Sequence, residues 1–151
     1  MTAARLRLAV LAAIFISGCA SSPPESLGLQ QGGLAPCPDS PNCVSTESQT
    51  ESHATQPFVL KLPPEEAWPL VREAVASLPG TVVVSADDEY IHAESTSPLM
   101  RYVDDLELQL QAGKGRIAVR SASRIGWSDM GANRERVWEL RRALAAKGVV
   151  P

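Results

Sequence analysis

Regular alternation of leucine with polar residues over 103–111 constrains the fold of this chain more than any other feature. In an extended chain, three leucines face one way and three polar residues face the other, namely Leu106, Leu108, Leu110 and Asp105, Glu107, Gln109. A Gly-Lys-Gly turn at 113–115 follows, and residues 116–123 continue with their own alternation. The pattern predicts two antiparallel strands joined by a short turn, with an apolar face buried.

Further elements are predicted around this pair of strands. Pro63 to Leu78 has helical spacing of apolar residues, and Ser128 or Asp129 is placed to cap a second helix that runs to Lys147. Three more strands are predicted over 58–62, 81–86 and 89–95. The order β-α-β-β-β-β-α, with short connections, predicts an α+β fold: an antiparallel sheet of about five strands with two helices on one face. In topology alone it is similar to helix-grip proteins.

The N-terminal residues have the character of an export signal. Arg5 and Arg7 precede the apolar run 8–16, which is shorter than the roughly 20 residues that a spanning helix needs. Residues 16–19 (Ile-Ser-Gly-Cys) resemble the bacterial lipobox, where the cysteine is acylated and the signal is cut before it. We therefore expect a lipoprotein signal peptide over 1–18 and lipid attachment at Cys19. The alternative is an ordinary signal peptide with an incidental cysteine.

A lipid at Cys19 would place the protein in the bacterial cell envelope. The next residue is Ala20, where Asp would favour inner-membrane retention in the sorting pattern of Gram-negative bacteria. We expect anchoring to the outer membrane, facing the periplasm. The membrane is then a partner through Cys19, and an envelope protein or a small polar ligand is a further candidate.

Composition divides the remaining chain into three parts. Residues 19–35 hold small, polar, Pro and Gly residues and predict a flexible tether. Residues 36–57 are interpreted as a disulfide loop and a polar linker. Residues 58–148 are expected to form a single α+β domain.

Cys37 and Cys43 enclose a short, proline-rich segment. In an oxidising compartment this spacing predicts a disulfide. Free or redox-active thiols are the first alternative, although a redox pair more often has C-x-x-C spacing. A metal site is the second, but it would need more ligands, and the chain has two histidines, His53 and His92.

Charge gives little indication of a partner. The formal net charge is −3, which offers no general reason to bind nucleic acid. The prediction is therefore of no nucleic-acid partner. No cofactor and no metal are predicted either, since the sequence offers few metal ligands.

Polar residues concentrate in two stretches, around 101–105 and over 120–136. Since Asp104 and Asp105 lie on the strand that should pair with the Arg120 strand, acid and base are expected to meet there. The second stretch leads into a helix N-terminus, where free N–H groups favour anions. The candidate cluster comprises Arg101, Asp104, Asp105, Arg120, Ser121, Ser123, Arg124, Ser128, Asp129, Asn133 and Arg134.

Three roles stay open for this cluster. It is a structural set of ion pairs and hydrogen bonds, a site for a polar or anionic ligand, or a catalytic site. A Ser-His-acid arrangement would require His53, interpreted as solvated, or His92, interpreted as a surface or half-buried residue. No catalytic residue is therefore assigned. The tryptophans are interpreted as packing residues, with Trp127 the best exception.

Two motifs resemble those of the bacterial family catalogued as domain of unknown function 1499. They are Cys-Pro-x₃-Asn-Cys-Val-Ser at Cys37 to Ser45, and the Arg-Ser-Ala-Ser-Arg motif that continues from Arg120 to Arg136, with Asp104 and Asp105 between them. The resemblance spans about residues 34–146 and implies no activity. The first expectation is an envelope lipoprotein that acts as a binding or structural module. The alternative is a hydrolase acting on an anionic substrate through the arginine-rich segment.

Overall fold

The computed structural model describes residues 22–151. The expected signal peptide, Cys19 and Ala20 lie outside the described residues. The described chain contains eight strands and two α-helices. The strands are β1 (Leu29–Gln30), β2 (Gly33–Leu34), β3 (Cys43–Ser45), β4 (Phe58–Val59), β5 (Thr81–Ala86), β6 (Tyr90–Thr96), β7 (Val103–Gln111) and β8 (Arg116–Ser123). The helices are α1 (Pro64–Ala76) and α2 (Ala132–Ala146).

The main sheet confirms the predicted α+β class. Its six strands are antiparallel and run in the order β3-β8-β7-β6-β5, with β4 also pairing with β8. The alternating segment forms β7 over the predicted range, and its partner forms β8. A short 3₁₀ turn (Ala112–Lys114) and Gly115, at a φ of 59°, connect the two strands.

Both helices pack on one face of this sheet, as predicted. The apolar stripe of α1, including Val71 and Val75, joins Leu140 and Leu144 of α2 over the leucines of β7. Pro64 occupies the first turn of α1, and two glutamates follow it. Proline without its N–H costs little there, and acids suit the positive end of the helix dipole. α2 starts at Ala132, after Gly131 at the N-cap position, so the helix begins two or three residues later than predicted.

The opposite face of the sheet is polar, and the N-terminal residues cover it. We name residues 24–37 the N-terminal strap. The strap runs along the face, turns back through the β1–β2 hairpin and returns to Cys37. Gln109 Nε2 donates a hydrogen bond of 2.8 Å to the Gly32 carbonyl, and the Gly28 N–H donates one of 2.9 Å to Glu107 Oε1. The strap therefore covers this face over β7, whereas Val82 and Val84 of β5 stay exposed.

These N-terminal elements differ from the expected tether and linker. Residues 29–34 form a hairpin, and β3 is an edge strand of the main sheet. The sheet thus includes residues placed before the expected domain start at Phe58. The first expected strand is also shorter, ending at Val59 rather than Leu62. Strands of two or three residues are too short to show an alternating pattern, and tertiary contacts set their conformation.

Candidate functional site

The sheet divides the candidate cluster into two hydrogen-bonded networks. Successive residues of a strand point to opposite faces, so Asp104 lies on the helix side and Asp105 on the strap side. We call these sets the helix-side network and the strap-side network. Both include residues at the end of the sheet where β6 ends, β7 begins and β8 ends, and the strap-side network also extends to Tyr90, where β6 begins.

Arg136 and Asn133 of α2 organise the helix-side network. Arg136 Nη2 donates to Asp104 Oδ2 at 2.7 Å, and Arg136 Nη1 donates to Asn133 Oδ1 at 2.7 Å and to Ser121 Oγ at 3.0 Å. Asn133 is fully buried, and its Nδ2 donates to Ser123 Oγ at 2.9 Å and to the Asn42 carbonyl at 3.1 Å. This network therefore joins α2, β7, β8 and the segment before β3.

Asp129 binds N–H groups at the start of α2, although the residue at the N-cap position is Gly131. Its Oδ2 accepts from the Asn133 N–H at 2.8 Å, and its Oδ1 accepts from the Gly131 N–H at 3.0 Å. Burial raises the pKa of Asp129, but these N–H groups outweigh it and hold the pKa below its ordinary value. The free N–H groups that a ligand would need at this helix end are thus already engaged in part by Asp129.

Glu107 is the centre of the strap-side network. Its side chain is 0% exposed, and its Oε2 accepts from Arg120 Nη1 at 2.8 Å. Its Oε1 accepts from the Tyr90 hydroxyl at 2.7 Å as well as from the Gly28 N–H. Burial and this carboxylate together raise the pKa of Tyr90. Acid and base thus meet across β7 and β8, but Arg120 pairs with Glu107, the residue opposite it in the register, and Asp105 pairs with Arg124.

Asp105 instead pairs with Arg124 and His92. It accepts from Arg124 Nε at 2.9 Å, from Arg124 Nη2 at 2.7 Å and from His92 Nε2 at 2.8 Å. Arg124 Nη2 also contacts Glu94. Burial raises the pKa of Asp105, but the bonds from Arg124 and His92 outweigh it, so the pKa lies below its ordinary value. The hydrogen bond to Asp105 raises the pKa of Arg124.

One group of side chains has the composition of a metal site. Ligand atoms of His92, Glu94 and Asp105 lie within 4.8 Å of one another. The Arg124 guanidinium contacts both carboxylates and supplies the positive charge at this point. A metal ion would have to displace it, so the geometry favours an ion-pair network.

A cavity of about 340 Å³ lies beside the strap-side network. It is lined by residues of β7 and β8 and by both arms of the strap: Pro24, Ser26, Pro36, Cys37, Pro38, Asp105, Arg120, Ala122, Ser123 and Arg124. Arg120 is 4% exposed. Its Nε is the one buried side-chain nitrogen or oxygen without a hydrogen-bond partner among residues 22–151. A buried donor without a partner destabilises the fold. An acceptor that entered the cavity and bound this N–H would remove that penalty.

Three members of the expected cluster lie elsewhere. Arg101 is exposed in the β6–β7 loop, at a φ of 58°. Ser128 is exposed, and its Oγ accepts from the Met130 N–H at 3.3 Å. Arg134 donates to the carbonyls of Ser52 and Ala54, at 2.7 Å and 3.0 Å. Arg134 therefore ties α2 to the segment between β3 and β4.

Several members of the networks were missed. They are Asn42, Tyr90, Glu94, Glu107 and Arg136, together with both histidines. His92 is buried rather than half-exposed, and His53 is buried rather than solvated, since its Nδ1 donates to the Cys43 carbonyl at 3.0 Å. Glu107 had a detectable signal: a turn centred between residues 113 and 114 places residues 107 and 120 opposite each other.

The disulfide between Cys37 and Cys43 is present, with a Cα–Cα distance of 5.7 Å. Cys43 opens β3, and Cys37 ends the strap, so the bond ties the strap to the sheet beside the cavity. Asn42, within the loop, donates from Nδ2 to the Gly126 carbonyl at 2.7 Å. The loop thereby contacts the segment between β8 and α2, and the Asn42 carbonyl also joins it to Asn133 of the helix-side network.

The positions of Ser121 and His92 do not favour a dyad between these two residues. Ser121 lies on the helix side, where its hydroxyl donates to Asn133 Oδ1 at 2.7 Å. His92 lies on the strap side, bound to Asp105. Because the sheet separates the two side chains, they cannot exchange a proton directly.

Comparison with known protein families places this chain in one of them. No curated protein matches the chain. Within residues 22–151, no helix combines the length and the apolar character needed to cross a bilayer. A family model covers about three quarters of the sequence and confirms the resemblance inferred from the two motifs. The chain belongs to the family described as Protein of unknown function (DUF1499), whose model matches residues 33–144.

Proposed function

We propose that this protein is a lipid-anchored envelope lipoprotein whose domain binds a small polar ligand without catalysing a reaction. The anchor is Cys19, and the membrane is the outer membrane facing the periplasm. The observation that carries the binding role is the buried, unpartnered Nε of Arg120 beside a cavity of about 340 Å³.

The charges on the strap side limit which kinds of ligand can bind there. Arg120 and Arg124 are already opposed by Glu94, Asp105 and Glu107. A multiply charged anion such as phosphate would face three carboxylates, of which Asp105 and Glu107 are buried, and its binding would gain little free energy. A carbonyl or a single carboxylate oxygen would satisfy the Arg120 N–H at a lower desolvation cost. The proposed ligand therefore presents a neutral or singly charged oxygen.

Ligand binding is tested on the full chain, extracted from membranes in a mild detergent. Thermal melts are measured with acetate, acetamide and inorganic phosphate. These compounds present a carboxylate oxygen, a neutral carbonyl oxygen and the oxygens of a multiply charged anion. Acetate or acetamide should raise the melting temperature, and phosphate should not. Arg120→Lys keeps a positive charge near Glu107 but lacks Nε, so it should abolish the shift. Arg142→Lys, at an exposed ion pair with Glu135, is the matched control and should retain it.

Two outcomes would contradict the binding role. One is the absence of any shift in the unaltered protein. The other is an equal shift in Arg120→Lys. A larger shift with phosphate than with acetate would overturn the assignment of ligand charge.

The anchor has its own test. Mass spectrometry of the mature protein should find acyl groups on Cys19, and Cys19→Ser should prevent both acylation and removal of the signal by the lipoprotein route. Cys37→Ser is the control, because it alters a cysteine outside the lipobox. An unmodified Cys19 in the mature protein would refute the anchor.

A further inference from the structure

We infer that the loops at 97–102 and 124–131 together form a surface that inserts into the headgroup region of the bilayer. This inference rests on the proposed lipid anchor and adds a second contact with the same membrane. We call the two segments the tip loops. The first joins β6 to β7, and the second joins β8 to α2.

The tip loops expose an unusual share of large apolar side chains. Eleven large apolar residues are exposed within residues 22–151, and six of them lie in these two loops. Those six, with their exposed fractions, are Leu99 87%, Met100 60%, Tyr102 47%, Ile125 46%, Trp127 70% and Met130 100%. Apolar residues concentrated in this way mark a site of contact with another surface rather than ordinary scatter.

The two loops lie together at one end of the sheet. Thr96 pairs with Val103, and Asp104 pairs with Ser123, so both loops leave the sheet at the same end of its strands. The Arg124 N–H donates to the Val103 carbonyl at 3.3 Å. Tyr102 and Ile125 line one cavity of about 260 Å³. The tip loops therefore present one continuous surface.

The chain enters the fold at this same end. Pro24 and Ser26 line a cavity with Ser123 and Arg124, at the place where β8 ends. Cys19 precedes Pro24 by only five residues, and five residues span at most about 17 Å. An acylated Cys19 would therefore hold this end of the domain close to the bilayer. The apolar tip loops would then face the membrane.

The side chains have the chemistry of a bilayer interface. Trp and Tyr favour the headgroup region because each combines an apolar ring with a polar group. Leu99, Met100 and Met130 offer apolar surface beyond the rings. Arg101 is exposed within the first loop and suits lipid phosphate, while Asp129 is bound to the N–H groups of α2. A lipid surface fits this combination better than a charged partner does.

The test uses the full, acylated chain in vesicles of phosphatidylethanolamine and phosphatidylglycerol. Vesicles that contain brominated acyl chains quench tryptophans near the hydrocarbon. Quenching should be clear in the unaltered protein and should be largely lost in Trp127→Phe. Trp138→Phe removes a tryptophan that is 52% exposed on α2, and this control should retain the quenching.

A double variant weakens the contact between the tip loops and the bilayer but keeps Trp127 as the fluorescent reporter. Leu99→Asp with Met130→Asp should reduce quenching of Trp127 several-fold, since charge opposes insertion. Asp tolerates the left-handed φ of 54° at Met130, so the fold should persist. Val84→Asp is the control, because Val84 is exposed on the edge strand β5, and it should leave quenching unchanged.

Flotation of the vesicles separates this inference from the proposed anchor. Protein that fails to float refutes the anchor. Protein that floats with Trp127 unquenched leaves the anchor intact and overturns membrane insertion. A photo-crosslinker at position 127 that captures an envelope protein in cells, while vesicles give no quenching, would assign the tip loops to a protein partner instead.

Discussion

Asp104 and Asp105 are adjacent in the chain, yet their carboxylates bind arginines on opposite faces of the sheet. Asp104 accepts from Arg136, an α2 residue, and Asp105 accepts from Arg124, just beyond β8. Because β7 is pleated, these two adjacent residues bind different elements: Asp104 binds α2 on one face, and Asp105 binds the residue after β8 on the other.

This arrangement predicts unequal effects of mutating the two acids. The Asp105 side chain is 2% exposed and accepts hydrogen bonds from two side chains, those of Arg124 and His92, whereas the Asp104 side chain is 10% exposed and accepts from Arg136 alone among residues 22–151. Removing Asp105 leaves a buried guanidinium short of a partner, so Asp105→Ala should cost about 3–5 kcal/mol. Asp104→Ala should cost about 1–3 kcal/mol. Urea unfolding followed by circular dichroism measures both values, and equal losses would contradict the assignment.

Arg120 is predicted to stabilise the fold through Glu107. Arg120→Ala would leave a fully buried carboxylate without its guanidinium, at a cost of about 3–5 kcal/mol. Replacing both residues, with Arg120→Met and Glu107→Leu, should recover much of this loss, because well-packed apolar residues often replace a buried ion pair at little cost. The comparison is made by urea unfolding. A double variant as unstable as Arg120→Ala would show that other contacts of Glu107, with Tyr90 and Gly28, dominate.

The disulfide should contribute modestly to stability. Its loop is short, with a sequence separation of 6, so Cys37→Ser with Cys43→Ser should lower the free energy of unfolding by about 2 kcal/mol. Alkylation of the exported protein without prior reduction should leave both cysteines unlabelled. Complete labelling under those conditions would be inconsistent with a persistent bond.

The pKa directions of Asp105 and Asp129 predict loss of stability in acid. Both folded-state pKa values lie below the ordinary value, which is about 3.9 in an unfolded chain. Their contribution is thus complete above about pH 4 and falls as pH drops through the lower folded-state values. Urea unfolding at a series of acidic pH values should show the decline. Asp129→Asn should flatten it, whereas Asp39→Asn, at an exposed loop residue, should not.

The sequence predicted the parts of the fold that carry a repeating pattern. The alternation in β7 and the turn after it predicted the strands β7 and β8, and the helical spacing of apolar residues predicted α1. The strap carries no such pattern, since its conformation depends on Glu107 and Gln109 of a distant strand. Arg136 was missed for the same reason, because it pairs with Asp104 on a different element, which local spacing cannot reveal. Glu107 was missed although the turn after β7 places it opposite Arg120.

The pairing of β3 with β8 sets an order for folding. Cys43 lies opposite Ala122. The backbone hydrogen bonds of β3, near the start of the domain, therefore form only once β8, near its end, is in place. The contacts of Gly28 and Gly32 with β7 impose the same delay. Local strand pairs, from β5 to β8, have short loops to close and should form first. The N-terminal residues, although synthesised first, would complete the fold last.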